Sequence, residues 1–191
     1  YSLNWSGQYE YMLRAKEKLM YVVPLTLAII IILLYMNFRN VTQVSILILS
    51  LPLSLVGSVW LMYALGFNFS IAVGVGMIAL AGVAVETGVI MLVYLDQAWN
   101  ELKKNSGESL IKQSELVNAI EQGAGLRVRP VLMTAGATII GLLPIMYGDG
   151  TGSEVMSRLA APMVGGMLSS VMLTLFVLPV VYLTWKTRQV R

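Results

Sequence analysis

Five long apolar stretches, separated by shorter polar segments, dominate the chain. They extend over residues 21–38, 44–65, 70–95, 130–147 and 159–185. A helix needs about 20 apolar residues, with a range of about 17–25, to cross the hydrocarbon layer of a membrane. A membrane-spanning strand would show about ten residues of alternating polarity, and the stretches lack that alternation. The pattern predicts an all-α membrane protein, a polytopic bundle of five transmembrane helices.

The polar segments predict how these spans are connected. Residues 39–43 and 66–69 are short enough for tight turns, and the glycine-rich segment 148–154 predicts a third turn. The longer segment 96–129 has apolar residues at helical spacing between positions 109 and 120. This spacing predicts an amphipathic helix that lies on the membrane surface.

The distribution of lysine and arginine predicts the orientation in the membrane. Nine of the 13 basic residues lie in the first inter-span turn, in 96–129 or after the last span. Cytoplasmic loops carry an excess of these residues, so we expect this side to be cytoplasmic, with the N-terminus outside. The nine are Arg39, Lys103, Lys104, Lys112, Arg127, Arg129, Lys186, Arg188 and Arg191. Of these, Lys103, Lys104 and Lys112 are expected to form a solvated face.

Composition excludes several classes of site. Hydrophobic residues make up 57% of the chain and charged residues 12%, against about 25% charged residues in soluble domains. The chain has no cysteine and no histidine, which excludes thiolate and imidazole metal sites. No nucleophile–base pair and no phosphate-binding loop is present, so we expect neither an enzyme nor a cofactor. The net charge of +3 is too small to indicate nucleic-acid binding.

One ionisable residue lies well inside an apolar stretch. Glu86 is about ten residues from either polar flank of the third span. An ionised carboxylate in hydrocarbon costs at least about 2.5–3.5 kcal/mol, so such a residue tends to face a bundle interior, to find a partner or to take up a proton. A carboxyl group that takes up and releases a proton is what proton coupling needs. The alternative is a protonated Glu86 that serves as a helix–helix hydrogen bond. Thr87 beside it is expected to hydrogen-bond across helices and is a weaker candidate for proton coupling.

Small residues recur four positions apart in three spans and predict close helix packing. They are Ala72 and Gly76 in the third span, Ala137 and Gly141 in the fourth, and Ala161, Gly165 and Ser169 in the fifth. At the start of the fifth span, Glu154 and Arg158 are also four apart and are expected to form an ion pair.

Four segments resemble a known family. They are WSGQYEYM at the start, AGVAVETGVIMLVYL around Glu86, LRVRPVLMT entering the fourth span and GSEVMSRLAAPMVGG entering the fifth. In this order they are similar to the heavy-metal branch of the resistance–nodulation–division transporters, most of all to its copper/silver efflux (Cus/Sil) type. The resemblance covers essentially the whole chain.

The resemblance implies a place in a larger pump. Transporters of this type have twelve spans, and the five spans here would be the last five. Residues 1–20 would be the end of a periplasmic domain and a lead-in helix, and residues 21–191 the transmembrane domain. The resemblance further implies an inner-membrane homotrimer that joins a periplasmic adaptor and an outer-membrane channel, and that exports metal cations against proton influx.

Two residues carry family roles by this resemblance. Glu86 matches the glutamate of the proton relay, whose aspartate partners lie on a span outside this chain. Met156 matches a methionine of the thioether path for Cu(I) or Ag(I), and thioether sulfur is a soft donor that suits these ions. The alternative for Met156 is packing, the ordinary role of methionine in a membrane protein.

One departure from the copper/silver pattern bears on selectivity. Copper/silver members carry a lysine of the relay where this chain has Val131. Arg129 is a weaker candidate for that cation, although an arginine at this position also fits an anchor at the membrane interface. The departure leaves open a Zn(II)- or Co(II)-type pump. The third hypothesis is a membrane assembly module without transport, in which Glu86 serves only packing.

Overall fold

The computed structural model of the protein describes residues 8–106 and 113–190, and nearly all of these are helical. The helices are α1 (Gln8–Phe38), α2 (Val41–Leu65), α3 (Ile71–Ser106), α4 (Gln113–Tyr147), α5 (Ser153–Met172) and α6 (Leu178–Val190), with a π-helical turn at Leu173–Val177 between α5 and α6. Five stretches are long and apolar enough to cross a membrane, and the fifth continues from α5 into α6. The predicted five-span, all-α architecture is confirmed.

The chain divides into two compact units, Tyr1–Ser45 and Ile46–Arg191. In the first unit, α1 is one continuous helix from Gln8 to Phe38. The described part of the predicted lead-in segment therefore continues into the first span without a break. Residues 1–7 lie outside the described residues.

The turn that follows α1 is shorter than predicted. Arg39 adopts a left-handed conformation with φ +50°, and its N–H donates to the carbonyl of Tyr35 at 2.8 Å. The side-chain oxygen of Asn40 accepts a hydrogen bond from the N–H of Thr42 at 3.0 Å. Asparagine is a favoured N-cap, so α2 begins at Val41, within the segment predicted to be the turn.

In the second unit, α3 and α5 run in the same direction and pack closely. A Cβ on Gly76 of α3 would lie 2.7 Å from Cγ of Pro162, which shows how near the two helices are. One turn later Leu80 packs against Gly166 and is fully buried. The predicted close approach at Gly76 is confirmed.

Helix α2 approaches α5 through glycine and serine. A Cβ on Gly165 would lie 2.5 Å from the carbonyl oxygen of Gly57, so only glycine fits there. The hydroxyl of Ser58 donates to the carbonyl of Pro162 at 2.6 Å, and the hydroxyl of Ser169 accepts from the N–H of Gly57 at 3.3 Å. In lipid, small residues and interhelical hydrogen bonds of this kind hold helices together. The packing predicted for the small residues of the fifth span is confirmed.

The small residues of the fourth span do not pack within this chain. Ala137 and Gly141 of α4 are both exposed, and a Cβ on Gly141 would meet nothing within 4 Å. The prediction of tight packing at this pair is wrong for the described part of the chain, because the buried side of α4 carries Val131 and Ala135 instead.

The surface helix predicted within 96–129 is not a separate element. Helix α3 continues to Ser106, and α4 begins at Gln113 and runs unbroken into the fourth span. Leu116, Ile120 and Gly123 are buried at helical spacing, and a Cβ on Gly123 would lie 2.9 Å from that of Ala98 on α3. The apolar stripe that suggested a membrane-surface helix belongs to the side of α4 that packs on α3. Residues 107–112 lie outside the described residues.

A proline accounts for the π-helical turn. Pro179 has no N–H to donate to Leu175, and in a regular helix its ring would clash with that carbonyl. The N–H of Leu178 instead donates to the carbonyl of Leu173, five residues earlier. The last span is therefore two α-helices joined at a π-helical turn, an irregularity of the kind that marks bends in helices.

Candidate functional site

Glu86 lies on a side of α3 that no other part of the described chain covers. Val75, Ala79, Gly82 and Glu86 are all exposed, and their spacing places them on one side of the helix. A Cβ on Gly82 would meet nothing within 4 Å. The buried side of α3, which includes Leu80, faces α5.

The carboxylate of Glu86 forms no ion pair and no hydrogen bond with the residues that the structure describes. Within the described chain its side chain is exposed, so a bound proton or a partner from another part of the pump stays the prediction for this residue. A carboxylate at this depth is costly without a proton or a partner. The open side of α3 therefore requires either protonation of Glu86 or a covering element from outside this chain.

The cross-helix hydrogen bond predicted for Thr87 is not formed in the described structure. Its hydroxyl donates to the carbonyls of Val83 and Ala84 in its own helix, at 3.0 and 3.1 Å. Threonine in a helix commonly satisfies its hydroxyl in this way. Thr87 thus has a local partner and contributes no link to another span.

The two positions at the start of the fourth span differ in exposure. Arg129 is exposed, and no described carboxylate forms an ion pair with it. Val131, where copper/silver relatives are expected to carry lysine, is 2% exposed and lies on the packed side of α4. Its apolar side chain fits that environment. The structure does not connect either residue to Glu86.

Met156 lies in the first turn of α5. This helix follows Gly152, which adopts a left-handed conformation with φ +88°, and the N–H of Met156 donates to the Gly152 carbonyl at 3.3 Å. The side chain is 56% exposed, so its thioether is accessible at the helix terminus. The described residues hold no group of three or more His, Cys, Asp or Glu able to bind a metal.

The structure places Met156 and Glu86 far apart along the bundle. Gly76 of α3 lies level with Leu159 and Pro162 of α5. Met156 precedes Leu159 by three residues, and Glu86 follows Gly76 by ten, in helices of the same direction. At about 1.5 Å per residue the two positions are separated by roughly 20 Å along the bundle axis. The two candidate positions therefore do not form one combined centre within this chain.

The ion pair predicted between Glu154 and Arg158 is absent. An ion pair with the same four-residue spacing instead joins Glu10 and Arg14 of α1. Surface pairs of this kind contribute little, and Arg158 is half-buried in the α5 packing. Lys103 and Lys104 are exposed as predicted, and Lys112 lies outside the described residues.

A cavity of about 250 Å³ lies between α3 and α4, toward the end of the bundle predicted to be cytoplasmic. Its polar lining includes Gln97 and Glu101 of α3 and Gln122 of α4. Gln97 follows Glu86 by eleven residues, a spacing that brings both to the same side of α3. The cavity is large and polar enough to hold water.

A polar cluster at the same end was not anticipated from the sequence. The hydroxyl of Tyr182 on α6 donates to the Asp96 carboxylate on α3 at 2.5 Å, and Tyr182 is fully buried. Lys186, counted above among the charges of the tail, is only 8% exposed. Asp96 directly follows the third apolar stretch and Lys186 directly follows the fifth, which was the one available signal that the two might meet.

Comparison with known proteins places these features in context. The model of the AcrB/AcrD/AcrF family matches residues 1–186. The cation efflux system protein CusA of Escherichia coli K12 and the putative cation efflux system protein SilA of Salmonella typhimurium are each 48% identical to this chain over 98% of its length. The cobalt-zinc-cadmium resistance protein CzcA of Cupriavidus metallidurans is 38% identical over 95%. The chain covers 18% of the length of CusA and SilA, and 16% of CzcA.

The fold also recurs in a solved structure. A crystal structure of a heavy metal efflux pump superposes on this chain with a TM-score of 0.78 and 35% sequence identity. The match covers 95% of this chain and 17% of that protein. The five helices described above therefore have a counterpart in a much longer protein.

Proposed function

The chain belongs to the AcrB/AcrD/AcrF family, and on that premise we propose that it is the last group of spans of an inner-membrane pump that exports heavy-metal cations in exchange for protons. The complete pump is a homotrimer that joins a periplasmic adaptor and an outer-membrane channel. Transport through it is secondary active antiport. No enzymatic step takes place in this chain.

The single observation that carries the proposal is the position of Glu86. A carboxylate in the middle of a span, on a side of α3 that this chain leaves uncovered, suits a group that meets its partners on a helix elsewhere in the pump. Protonation removes its charge and weakens those contacts, and deprotonation restores them. The proton state of Glu86 therefore biases the position of α3.

The polar cavity between α3 and α4 supports the inward half of this cycle. In the proposed path Glu86 accepts a proton from the periplasmic side and releases it toward the cytoplasm. Gln97 and Glu101 lie on the helix that bears Glu86, and water among them would receive the proton. Ile90 and Val93 lie between Glu86 and this cavity along α3.

The proposed cargo is Cu(I) or Ag(I). Identity is higher to CusA and SilA, at 48%, than to the cobalt-zinc-cadmium protein CzcA, at 38%. Met156 adds an accessible thioether, which suits monovalent soft ions better than Zn(II) or Co(II). Val131 is the observation that favours the second candidate, a Zn(II)- or Co(II)-type pump, because it lacks the lysine expected in copper/silver members.

Metal flux tests the cargo directly. The full-length pump in proteoliposomes, under an imposed proton gradient, is supplied with Cu(I), Ag(I) and Zn(II) in parallel. The proposal expects Cu(I) and Ag(I) to move and Zn(II) to remain. Transport of Zn(II) alone would replace the first candidate with the second and would return Met156 to a packing role.

Met156→Leu is expected to weaken Cu(I) transport selectively. Leucine keeps the volume and hydrophobicity of the side chain but removes the sulfur. We expect the KM for Cu(I) to rise at least about tenfold, the scale on which altered metal-site partners weaken binding, with kcat nearly unchanged. Initial rates over a range of Cu(I) concentrations measure this.

Met172→Leu is the matched control, since Met172 is an exposed methionine at the other end of the same helix. It should leave the KM unchanged. Equal kinetics in the Met156 and Met172 variants would show that the thioether of Met156 takes no part in transport.

A further inference from the structure

Helices α3 and α6 are joined by a cluster of three aromatic residues, a carboxylate and a buried lysine. The hydroxyl of Tyr182 donates to Asp96 at 2.5 Å. The ammonium of Lys186 lies 5.1 Å from the ring centre of Trp99 on α3 and 5.6 Å from that of Tyr182 on its own helix. Trp185 is the third aromatic residue beside Lys186, and its ring centre lies 4.4 Å from the same ammonium.

Each contact in this cluster is of a strong type. A hydrogen bond to a carboxylate is stronger than one between neutral groups, and its donor, Tyr182, is fully buried. Cation–π contacts strengthen when the cation is desolvated, and Lys186 is 8% exposed. The ring of Tyr182 also stacks edge to face on that of Trp185, with centres 5.6 Å apart. The cluster therefore holds the ends of two spans together through side chains rather than through shape alone.

The α3 side of the cluster is rigidly connected to Glu86. Asp96 follows Glu86 by ten residues in a helix without proline or interruption, a distance of about 15 Å along the axis. A shift of α3 that accompanies protonation of Glu86 is therefore passed on to Asp96 and Trp99.

The α6 side of the cluster is separated from α5 by the π-helical turn at Leu173–Val177. Above that turn α5 packs against α2 and against Gly76 of α3. Below it α6 contacts α3 and α4, and its angle to α5 can change at the π-helical turn, because such turns are places where a helix changes direction. The last span thus has a part packed on α2 and on the first half of α3, a joint, and a part fastened to the second half of α3.

We propose that Asp96, Tyr182 and Lys186 form a latch that makes α6 move with α3, and so transmits the proton state of Glu86 to the C-terminal span. These are positioning residues, since none of them touches the metal or the proton site. The proposal rests on the proposed function for its consequence, tight coupling of proton and metal fluxes. Its structural part, that the latch keeps α3 and α6 together, does not depend on transport.

A distance measurement tests whether the latch keeps α3 and α6 together. Spin labels are introduced at Asn100 of α3 and Thr184 of α6, which are exposed beside the cluster, and this chain has no cysteine of its own. In the full-length pump the label distance is expected to be narrow and to stay the same in the Glu86→Gln variant. Tyr182→Phe, which keeps the ring and removes one hydrogen bond, is expected to broaden it. An unchanged distribution in Tyr182→Phe and in Lys186→Met would overturn the latch, whatever the pump transports.

The functional consequence is tested by the ratio of proton to metal flux in proteoliposomes. Tyr182→Phe is expected to raise that ratio roughly tenfold, the factor that corresponds to losing one hydrogen bond to a charged group. Tyr147→Phe is the control, because Tyr147 is exposed and its hydroxyl has no hydrogen bond in the described structure. A fall of both fluxes in equal proportion would show that the cluster only stabilises the fold and would overturn the coupling role.

Two safeguards keep the outcomes separate. If Tyr182→Phe does not assemble, Asp96→Asn changes the same hydrogen bond from the other side, and the same ratio is read. If the unsubstituted pump moves no protons with metal, the proposed function fails while the label distances still decide whether the latch exists.

Discussion

Glu86→Gln is expected to abolish proton-coupled metal efflux while the pump still assembles. Glutamine has nearly the size and shape of glutamic acid, but it neither gains nor loses a proton. With a permanently neutral side chain the two states of the relay become equivalent, and a proton gradient has no group through which to drive α3. Metal efflux in proteoliposomes should fall to the level of vesicles without protein.

Assembly should survive this change because the substitution removes a charge from hydrocarbon. An ionised carboxylate there costs at least about 2.5–3.5 kcal/mol, and Glu86 forms no contact within the described chain that glutamine would break. Size-exclusion chromatography in detergent checks assembly. Glu121→Gln is the matched control, since Glu121 is an exposed glutamate of α4 that precedes the fourth span and does not line the cavity. Efflux at the unsubstituted rate in Glu86→Gln would remove Glu86 from the mechanism.

Gly165→Ala is expected to destabilise the bundle more than any other single methyl group added to a glycine of α5. The new Cβ would lie 2.5 Å from the carbonyl oxygen of Gly57 and 2.6 Å from Cβ of Leu61, both parts of α2 that cannot rotate away. Helices α2 and α5 would have to separate, which also weakens the hydrogen bonds at Ser58 and Ser169. Overpacking of this kind costs about 1–3 kcal/mol, occasionally more. The midpoint temperature of thermal unfolding in detergent should therefore be lower for Gly165→Ala than for the unsubstituted protein.

Gly141→Ala provides the control for that prediction. Gly141 is also a glycine within a transmembrane helix, but a Cβ there meets nothing within 4 Å in this chain. Both substitutions gain the same intrinsic helix propensity, so the difference between them reports the α2–α5 contact. Equal midpoints for the two variants would contradict the close packing of Gly57 and Gly165.

The fold was largely predictable because few backbone structures can satisfy their hydrogen bonds in lipid. Spans of about 20 apolar residues must form helices to satisfy their backbone groups, and the five stretches coincide with five helices. The boundaries were less predictable where polar flanks continue a helix. Residues 96–106 extend α3, and residues 113–129 belong to α4. Polar residues mark where a helix leaves the hydrocarbon layer, but the helix itself can continue into water.

The site was only partly predictable for a different reason. The isolated charge of Glu86 is visible in the sequence, but which side of α3 it occupies depends on how the helices pack. The contact between Asp96 and Tyr182 joins positions 86 residues apart, and no local pattern records such a pairing. Lys186 looked like a solvated tail charge, because a basic residue after a span usually remains at the interface. Its burial follows from Trp99 and Trp185, which surround it.

Simultaneous recording of proton and metal movement through the full-length pump tests the central claim most directly. A pH-sensitive dye and a metal indicator are read together in proteoliposomes supplied with Cu(I) or Ag(I), with and without an imposed proton gradient. We expect metal transport to bring protons in the opposite direction at a fixed ratio, and a protonophore to stop both. Metal transport that continues unchanged after the gradient has been collapsed would contradict it.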